Sequence, residues 1–412
     1  MKLLFFVLLL SFSTQAAVNS NQVKKALKNR KAGLTSKITH KRLERAFRYS
    51  KNKEDKRAVA ELLKLLKQTE NRKYEYALVW QNLGFMLAGQ GDNKKAIKAL
   101  ENSLKVNTLP YAQTLASLFT LSQLYFSEEK LAKAQASLEE WFTYAEEPSG
   151  QAYMLMGMIL GQGENKEKAL DYVNIAINSE KNPPEKWLQL ALSLNHSLKK
   201  YKNALKLLVH LTSEYPENKK YWKQFYQTYL SLFEDEKALA VMEMAYKRNA
   251  LTEESEIVNM ASLMIYLKLP HKGARIIEKE MEAGLIQKSK KNFELLSQAW
   301  YQAKEIDKAI AALDEAGRKS IDGKLLAKKG YMQLEKDNYA GAIESFKQSL
   351  TKGKLNDSSK IYFAMGLAYY NKQDLGEALV SLLEAKKRDK DNKGIATWID
   401  QIKNQKMAKS NI

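Results

Sequence analysis

Cysteine is absent from this 412-residue chain. Its absence excludes structural disulfides, thiolate-held metals and the lipid-modified cysteine that a bacterial lipoprotein anchor needs at its cleavage site. Histidine is scarce. His40, His196, His210 and His271 form no His-x3-His pair, so no metal-ligand spacing exists. No Gly-x-Ser-x-Gly elbow and no Gly-x4-Gly-Lys-Ser/Thr phosphate loop occurs. The paired carboxylates Glu139-Glu140, Glu146-Glu147 and Glu253-Glu254 would diverge by about 100° on a helix, which suits a solvated surface and not shared acid–base work. Beyond the N-terminus no stretch approaches the roughly twenty apolar residues of a membrane span. Proline is rare, at 6 residues, so long helical runs are uninterrupted. These absences leave no catalytic constellation, no cofactor site and no small-molecule substrate, and point to a non-enzymatic protein.

What is present is a spacing. A small residue is followed twelve positions later by alanine at Gly84/Ala96, Ser122/Ala134, Gly157/Ala169, Ser262/Ala274, Ser297/Ala309, Gly330/Ala342 and Gly366/Ala378. Tyr226/Ala238 is the same pair with a bulky first member, and Ala191/Ala204 has one extra residue. Bulky residues sit around each pair at offsets of three, four and seven. Trp80, Leu83 and Leu87 precede Ala96, Leu100 and Ser103; Tyr362, Met365 and Tyr369 precede Ala378, Leu382 and Ala385. Such offsets put the side chains on one face of each of two short helices. The small residue and the alanine are expected to meet where the helices cross. Gly89-Gln-Gly91-Asp92-Asn93 and Gly161-Gln-Gly163-Glu164-Asn165 supply turns between them, since glycine readily takes the left-handed conformation that ends a helix. The fold class is therefore all-α, an α-solenoid of stacked helical hairpins. Tyr226 in place of a small residue, Lys329 at an apolar position and the glycine-poor turn before Pro270-His271-Lys272 weaken single units.

This pattern resembles the tetratricopeptide repeat over roughly 77–392, nine units, with a degenerate unit at 39–73. The resemblance implies a right-handed superhelix whose concave face is lined by the first helix of each unit, at its second, fifth, ninth and twelfth residues. Carried onto this chain, those positions give Gln81, Phe85, Phe119, Gln123, Phe126, Met154 and Met158 in the N-terminal part. In the C-terminal part they give Tyr266, Tyr301, Tyr331, Phe363 and Tyr370, with Lys291, Lys324 and Lys360 beside them. The first set suits an apolar or helical peptide. The second suits an extended peptide bearing carboxylates. The same side chains could instead fill gaps between neighbouring repeats. The carboxylate clamp of some such repeats needs Lys and Asn where this chain has Gln81 and Phe85, and is not expected here.

Lys2, the apolar run Leu3–Leu10, and Thr14 and Ala16 have the order of a secretory signal peptide cut after Ala16; an uncleaved anchor is the alternative. An exported helical protein without cysteine fits the periplasm of a Gram-negative bacterium. The expected organisation is a signal peptide at 1–16, a basic helical segment at 17–76, the repeat array at 77–392, and a capping helix with a basic tail at 393–412. The formal charge of +20 is unevenly placed: residues 19–75 hold 18 Lys/Arg against 6 Asp/Glu, and 386–412 hold 8 against 3. Lys41, Arg42, Arg45 and Arg48 form a basic patch, read either as a solvated cap or as a contact for an anionic envelope surface. Nucleic acid is a poor partner, because an exported protein does not meet it and the segment lacks regularly interleaved aromatics.

Thr39-His-Lys-Arg-Leu-Glu-Arg-Ala-Phe, Tyr362-Phe-Ala-Met-Gly-Leu-Ala-Tyr-Tyr through Ala378-Leu-Val-Ser-Leu-Leu-Glu-Ala, and Ala396-Thr-Trp-Ile-Asp-Gln-Ile together resemble periplasmic tetratricopeptide proteins associated with TonB–ExbB–ExbD systems. That resemblance implies a periplasmic adaptor in TonB-dependent uptake of iron complexes, holding a protein or extended peptide segment, with a TonB-system component as the implied partner. A chaperone or assembly scaffold for envelope or secretion machinery is the alternative.

Overall fold

The computed structural model describes residues 22–318 and 323–410, and among these there are helices and turns but no strand. The expected signal peptide lies outside them. The chain divides between Leu207 and Leu208 into two compact units.

In the first unit a short helical stretch at 22–28 precedes antiparallel hairpins. They pair Lys37–Lys51 with Asp55–Thr69, Lys73–Gly89 with Asn93–Val106, Tyr111–Ser127 with Leu131–Tyr144, and Gly150–Gln162 with Lys166–Asn178; Glu185–Ser197 then leads into Tyr201–Glu214. The second unit pairs Lys219–Ser231 with Asp235–Lys247, Glu254–Tyr266 with Pro270–Glu282, Lys290–Gln302 with Ile306–Arg318, Lys324–Glu335 with Tyr339–Lys352, and Ser358–Asn371 with Leu375–Arg388, and ends on Lys393–Ser410. Within each unit successive hairpins stack, so that first helices of neighbouring repeats touch. The array of hairpins expected from the spacing is the architecture observed.

The close approach inside a hairpin is more specific than a glycine meeting an alanine. A Cβ added at Gly84 would lie 2.7 Å from the Leu100 side chain, at Gly157 2.5 Å from Val173, at Gly330 2.6 Å from Phe346 and at Gly366 2.8 Å from Leu382. In each case the residue that fills the glycine's empty space lies sixteen positions on, one helical turn beyond the alanine. The alanine backbone forms the rest of the contact: its carbonyl oxygen is 3.2 Å from the added atom at Gly157 and 3.3 Å at Gly366. Where serine replaces glycine, the Ser122 hydroxyl donates to the Ala134 carbonyl at 2.8 Å.

A second set of contacts closes the far end of the hairpin. Ser103 donates to the Ala77 carbonyl at 2.7 Å, Ser349 to Gly323 at 2.8 Å and Ser359 to Ala385 at 2.9 Å. These positions lie seven before the small residue and seven after the alanine, two turns from the crossing along each helix. Both partners are buried, so each hydroxyl satisfies itself on a carbonyl instead of remaining an orphan.

Turn chemistry departs from the glycine expectation. Gly91 adopts φ 77°, but the equivalent positions are Lys53, Glu129, Lys199, Phe233, Lys304, Asp337 and Gln373, all at positive φ. Each lies five residues before its alanine. The next residue is the N-cap of the second helix, and Asp92, Asn165, Asn338 and Asp374 accept there from the backbone N–H three residues on. Such caps contribute about 1 kcal/mol each. Gly163 is extended, at φ −82° and ψ −164°, so the Gly161-Gln-Gly163 turn works without a left-handed glycine.

The core of the first unit runs through Leu62, Leu65, Leu100, Leu138, Met156 and Ile159, and that of the second includes Trp300 and Phe346. Burying each such side chain contributes roughly 1.5–3 kcal/mol. Tyr226 is buried in the place of a small residue, and its hydroxyl points to Glu256 at 3.5 Å. Lys329 reaches Asp314 at 2.6 Å, which accounts for a lysine at an otherwise apolar position.

Candidate binding grooves

Around Ser122 and Gly157, first helices set side by side bring their −3 and +1 positions, counted from the small residue, to one common face. In the first unit this brings together Phe119, Gln123, Phe126, Met154 and Met158 with Gln151, Leu155 and Trp187 around a cavity of about 420 Å³. The wall is aromatic and thioether, with no charged side chain. Met154 itself is almost wholly buried and forms the floor.

In the second unit a cavity of about 620 Å³ opens across Glu254–Tyr266, Lys290–Gln302 and Lys324–Glu335. Lys291, Tyr301 and Tyr331 line it, with Val258, Asn259, Glu294, Leu295, Gln298, Lys328, Met332 and Glu335. Tyr301 donates to Glu335 at 2.8 Å, and that carboxylate, with partial desolvation, raises the phenol above its ordinary range. Burial, and secondarily Asp357, raises Tyr331, whose ring meets Phe346 edge-on at 5.1 Å. Lys304 lies over the Tyr301 ring at 5.8 Å. Both phenols therefore stay protonated at neutral pH and present O–H groups beside exposed lysines.

Several expected groove residues are placed elsewhere. Gln81 is only 3% exposed; its amide donates to the Gln113 carbonyl and to Ser117 Oγ, both at 2.7 Å. It is a rivet between neighbouring first helices, because a side chain facing the next repeat rather than the open face has no groove to line. Phe85 packs against the core of the first unit and Phe363 against that of the second. Tyr370 meets Trp398 of the last helix edge-on at 5.3 Å. Lys360 pairs with Asp357 at 3.5 Å. Lys324 is exposed and does not line the cavity, and Tyr266, at 69% exposure, stands clear of it. Glu294, Gln298, Lys328, Glu335 and Trp187 were not expected. Counting −3 and +1 from Ser297 would have found the first two.

Part of the basic N-terminal segment is engaged within its own unit. Lys24 donates to the Ala145 carbonyl at 3.0 Å, Lys28 pairs with Glu146 at 2.5 Å, and Arg30 donates to the Leu109 carbonyl at 3.1 Å. Ala145 caps the helix Leu131–Tyr144, and Asn107, a further Arg30 acceptor, caps Asn93–Val106. The cations thus sit at helix C-termini, where the backbone dipole favours them. In the expected patch, Arg42 and Arg45 both face Glu61, at 3.7 and 3.4 Å, while Lys41 and Arg48 are exposed. Among the described residues no cluster of three or more His, Asp or Glu is placed to hold a metal ion, and no helix is long and apolar enough to cross a membrane.

Residues 77–108 and 359–392 match the tetratricopeptide repeat family model. At these two segments the chain carries tetratricopeptide repeats. Both matched segments hold the full set of repeat contacts, with Gly84 and Gly366 against Leu100 and Leu382. Among solved structures, a tetratricopeptide repeat protein from Parabacteroides merdae is similar, with TM-score 0.40 and 15% identity over 64% of this chain and 99% of its own. YrrB, described as a tetratricopeptide protein with an unusual peptide-binding site, aligns with TM-score 0.38 and 18% identity over 44% of this chain and 90% of its own. The Cut9–Hcn1 assembly aligns with TM-score 0.30 and 12% identity over 96% of this chain and 94% of its own. No curated protein matches the chain.

Proposed function

We propose that this protein is a non-enzymatic protein-interaction adaptor, and that the groove of the second unit holds an extended segment of another protein. The observation that carries this reading is the cavity of about 620 Å³ on the faces of consecutive first helices, where tyrosines alternate with lysines on a rigid helical scaffold. Its size falls in the range of ligand sites, and its wall combines apolar area with a few polar groups, as such sites do. The aromatic and Met-lined groove of the first unit suits the apolar face of an amphipathic helix. Comparing proteins that co-purify with the wild-type chain and with a Tyr301→Ala/Tyr331→Ala variant tests the reading. Specific partners should be lost from the variant; identical partners would count against the groove.

The finer reading is a periplasmic accessory of TonB-dependent uptake of iron–siderophore or haem across the outer membrane. It rests on the leader-like order of residues 1–16 and on the resemblance carried by the segments at Thr39, Tyr362 and Ala396. A deletion strain should grow normally in rich medium and poorly when an iron complex is the only iron source. Normal growth on every such complex would overturn this role while leaving the adaptor reading intact.

A further inference from the structure

The last hairpin of the array differs from the others on its outer face. Counted from the crossing alanine, the fifth residue of each second helix reaches the surface. It is charged in six earlier hairpins, as Glu101, Glu139, Glu243, Lys279, Asp314 and Lys347, and it is Asn174 in a seventh. Val209 is the exception, and Lys206 stands one turn before it. In Leu375–Arg388 this place holds Leu383, 41% exposed, and the second residue from the alanine is Val380, 55% exposed. Of the nine hairpins between 77 and 392, this one alone carries large aliphatic side chains at both places.

The charges of that face complement themselves. Val380 and Leu383 border a hollow of about 370 Å³ with Glu384, Lys386 and Lys387. Lys386 is turned to the Asn392 carbonyl, at 3.2 Å. Glu384 is shared by Lys387 and Arg388, so one cation is in excess beyond Leu383. One turn before Val380 stands Glu377, which is exposed and forms no ion pair among the described residues. An excess acid therefore lies at one end of the apolar pair and an excess cation at the other. The final helix, Lys393–Ser410, buries Ile395, Ile399 and Ile402 in the core and leaves Val380 and Leu383 uncovered.

We propose that this face is a dimer interface, and that its occupant is the same face of a second copy. Two Leu375–Arg388 helices run antiparallel about a twofold axis, with Val380 of each copy opposite Leu383 of the other. A closed twofold contact of this kind uses one patch twice. At a rise of about 1.5 Å per residue, Glu377 of each copy falls within about one turn of Lys387 of the other, so both excess charges are matched. Parallel packing would set acid against acid and lysine against lysine. An anionic bilayer or an acidic helix would match Lys387 and repel Glu377. One pair of helices buries less than the roughly 1,200 Å² of a stable interface, so the dimer is weak and forms at high protein concentration.

Sedimentation velocity of the full chain from about 5 to about 500 µM should show a reversible monomer–dimer equilibrium, with a Kd on the order of 100 µM. Val380→Ser with Leu383→Ser should leave only monomer over that range. Glu377→Lys and Lys387→Glu should each weaken the dimer by about tenfold or more, because each sets like charges together at two places. An equimolar mixture of these two variants should recover close to the wild-type affinity, since every such contact then joins Lys to Glu. All four positions are exposed, so the thermal midpoints should stay close to that of the wild type. A wild-type chain that remains monomeric, dimerisation unchanged in Val380→Ser/Leu383→Ser, or a mixture no stronger than its components would each overturn the proposal. So would a monomer that cosediments with phosphatidylglycerol vesicles and loses them on Leu383→Ser, which would assign the face to a membrane. The Tyr301→Ala/Tyr331→Ala variant should dimerise like the wild type, so this inference and the adaptor reading fail separately.

Discussion

Replacing Gly157 with alanine tests the hairpin geometry directly. The new Cβ would lie 2.5 Å from Val173 Cγ2, 3.2 Å from the Ala169 carbonyl oxygen and 3.3 Å from the Val173 nitrogen. Valine on a helix holds one dominant χ1 rotamer, so the methyl cannot swing aside and the helices must shift. Overpacking of this kind costs about 1–3 kcal/mol, and removing a helical glycine recovers about 1 kcal/mol. The single variant should therefore lose up to about 2 kcal/mol. Val173→Ala alone should lose about 2–3 kcal/mol through lost burial and a cavity. In the double variant the added methyl has room and fills part of that cavity, so the two changes should couple favourably by about 1–3 kcal/mol. Urea denaturation gives the totals. Because long repeat arrays depart from two-state behaviour, amide exchange in Gly150–Gln162 and Lys166–Asn178 should localise the effect. Gly161→Ala, whose Cβ would meet only ordinary contacts at 3.5 and 3.6 Å, is the control and should be neutral or stabilising. Additivity of the two changes within about 0.5 kcal/mol, or a stabilised Gly157→Ala, would refute the sixteen-residue contact.

Other consequences follow from the same geometry. Gly323→Ala drives a Cβ into the Ser349 carbonyl, which is backbone and cannot yield; a loss of about 3 kcal/mol or more should appear as early unfolding of Lys324–Glu335 by amide exchange. Phe233 is 92% exposed at φ 57°, so Phe233→Gly should relieve about 1 kcal/mol of left-handed strain and raise the urea midpoint. Burial, with Glu256 nearby, pushes Tyr226 up to about 12 from its ordinary 10.0. The unfolded chain then releases this proton first, so stability is intact below about pH 10 and falls as pH rises towards 12. Tyr226→Phe should flatten that part of the midpoint–pH curve.

The repeat was legible because helical crossing leaves a covalent-scale trace in the sequence. A small residue is favoured at the crossing, so the Gly84/Ala96 type of pair recurs along the chain, with Tyr226 as an exception. The companion contacts at plus sixteen, and the pairs such as Ala77 with Ser103, were present too. They read as ordinary apolar or polar helix residues, since many side chains fill space equally well. The turns misled for a related reason: a left-handed residue costs a non-glycine only about 1–2 kcal/mol, so Lys53 and Gln373 do the work of Gly91. For the grooves, the repeat register placed Phe119, Met158, Tyr301 and Tyr331 on the open face. It misplaced Gln81, which holds the same register position as Phe119 but whose amide is taken up by the Gln113 carbonyl and Ser117 of the next first helix. The hydrogen bonds and ion pair that engage Lys24, Lys28 and Arg30 join residues some 80–120 positions apart, and no local pattern records them.

The central claim is that the open face of the second unit holds another protein chain. Photo-crosslinking in living cells, with a photoreactive residue at Tyr301 and separately at exposed Lys247 on a second helix, tests it most directly. The account predicts a discrete crosslinked partner from Tyr301, mapped by mass spectrometry to one acidic extended segment, and none from Lys247. The same adducts from both positions, or no adduct from Tyr301, would contradict it.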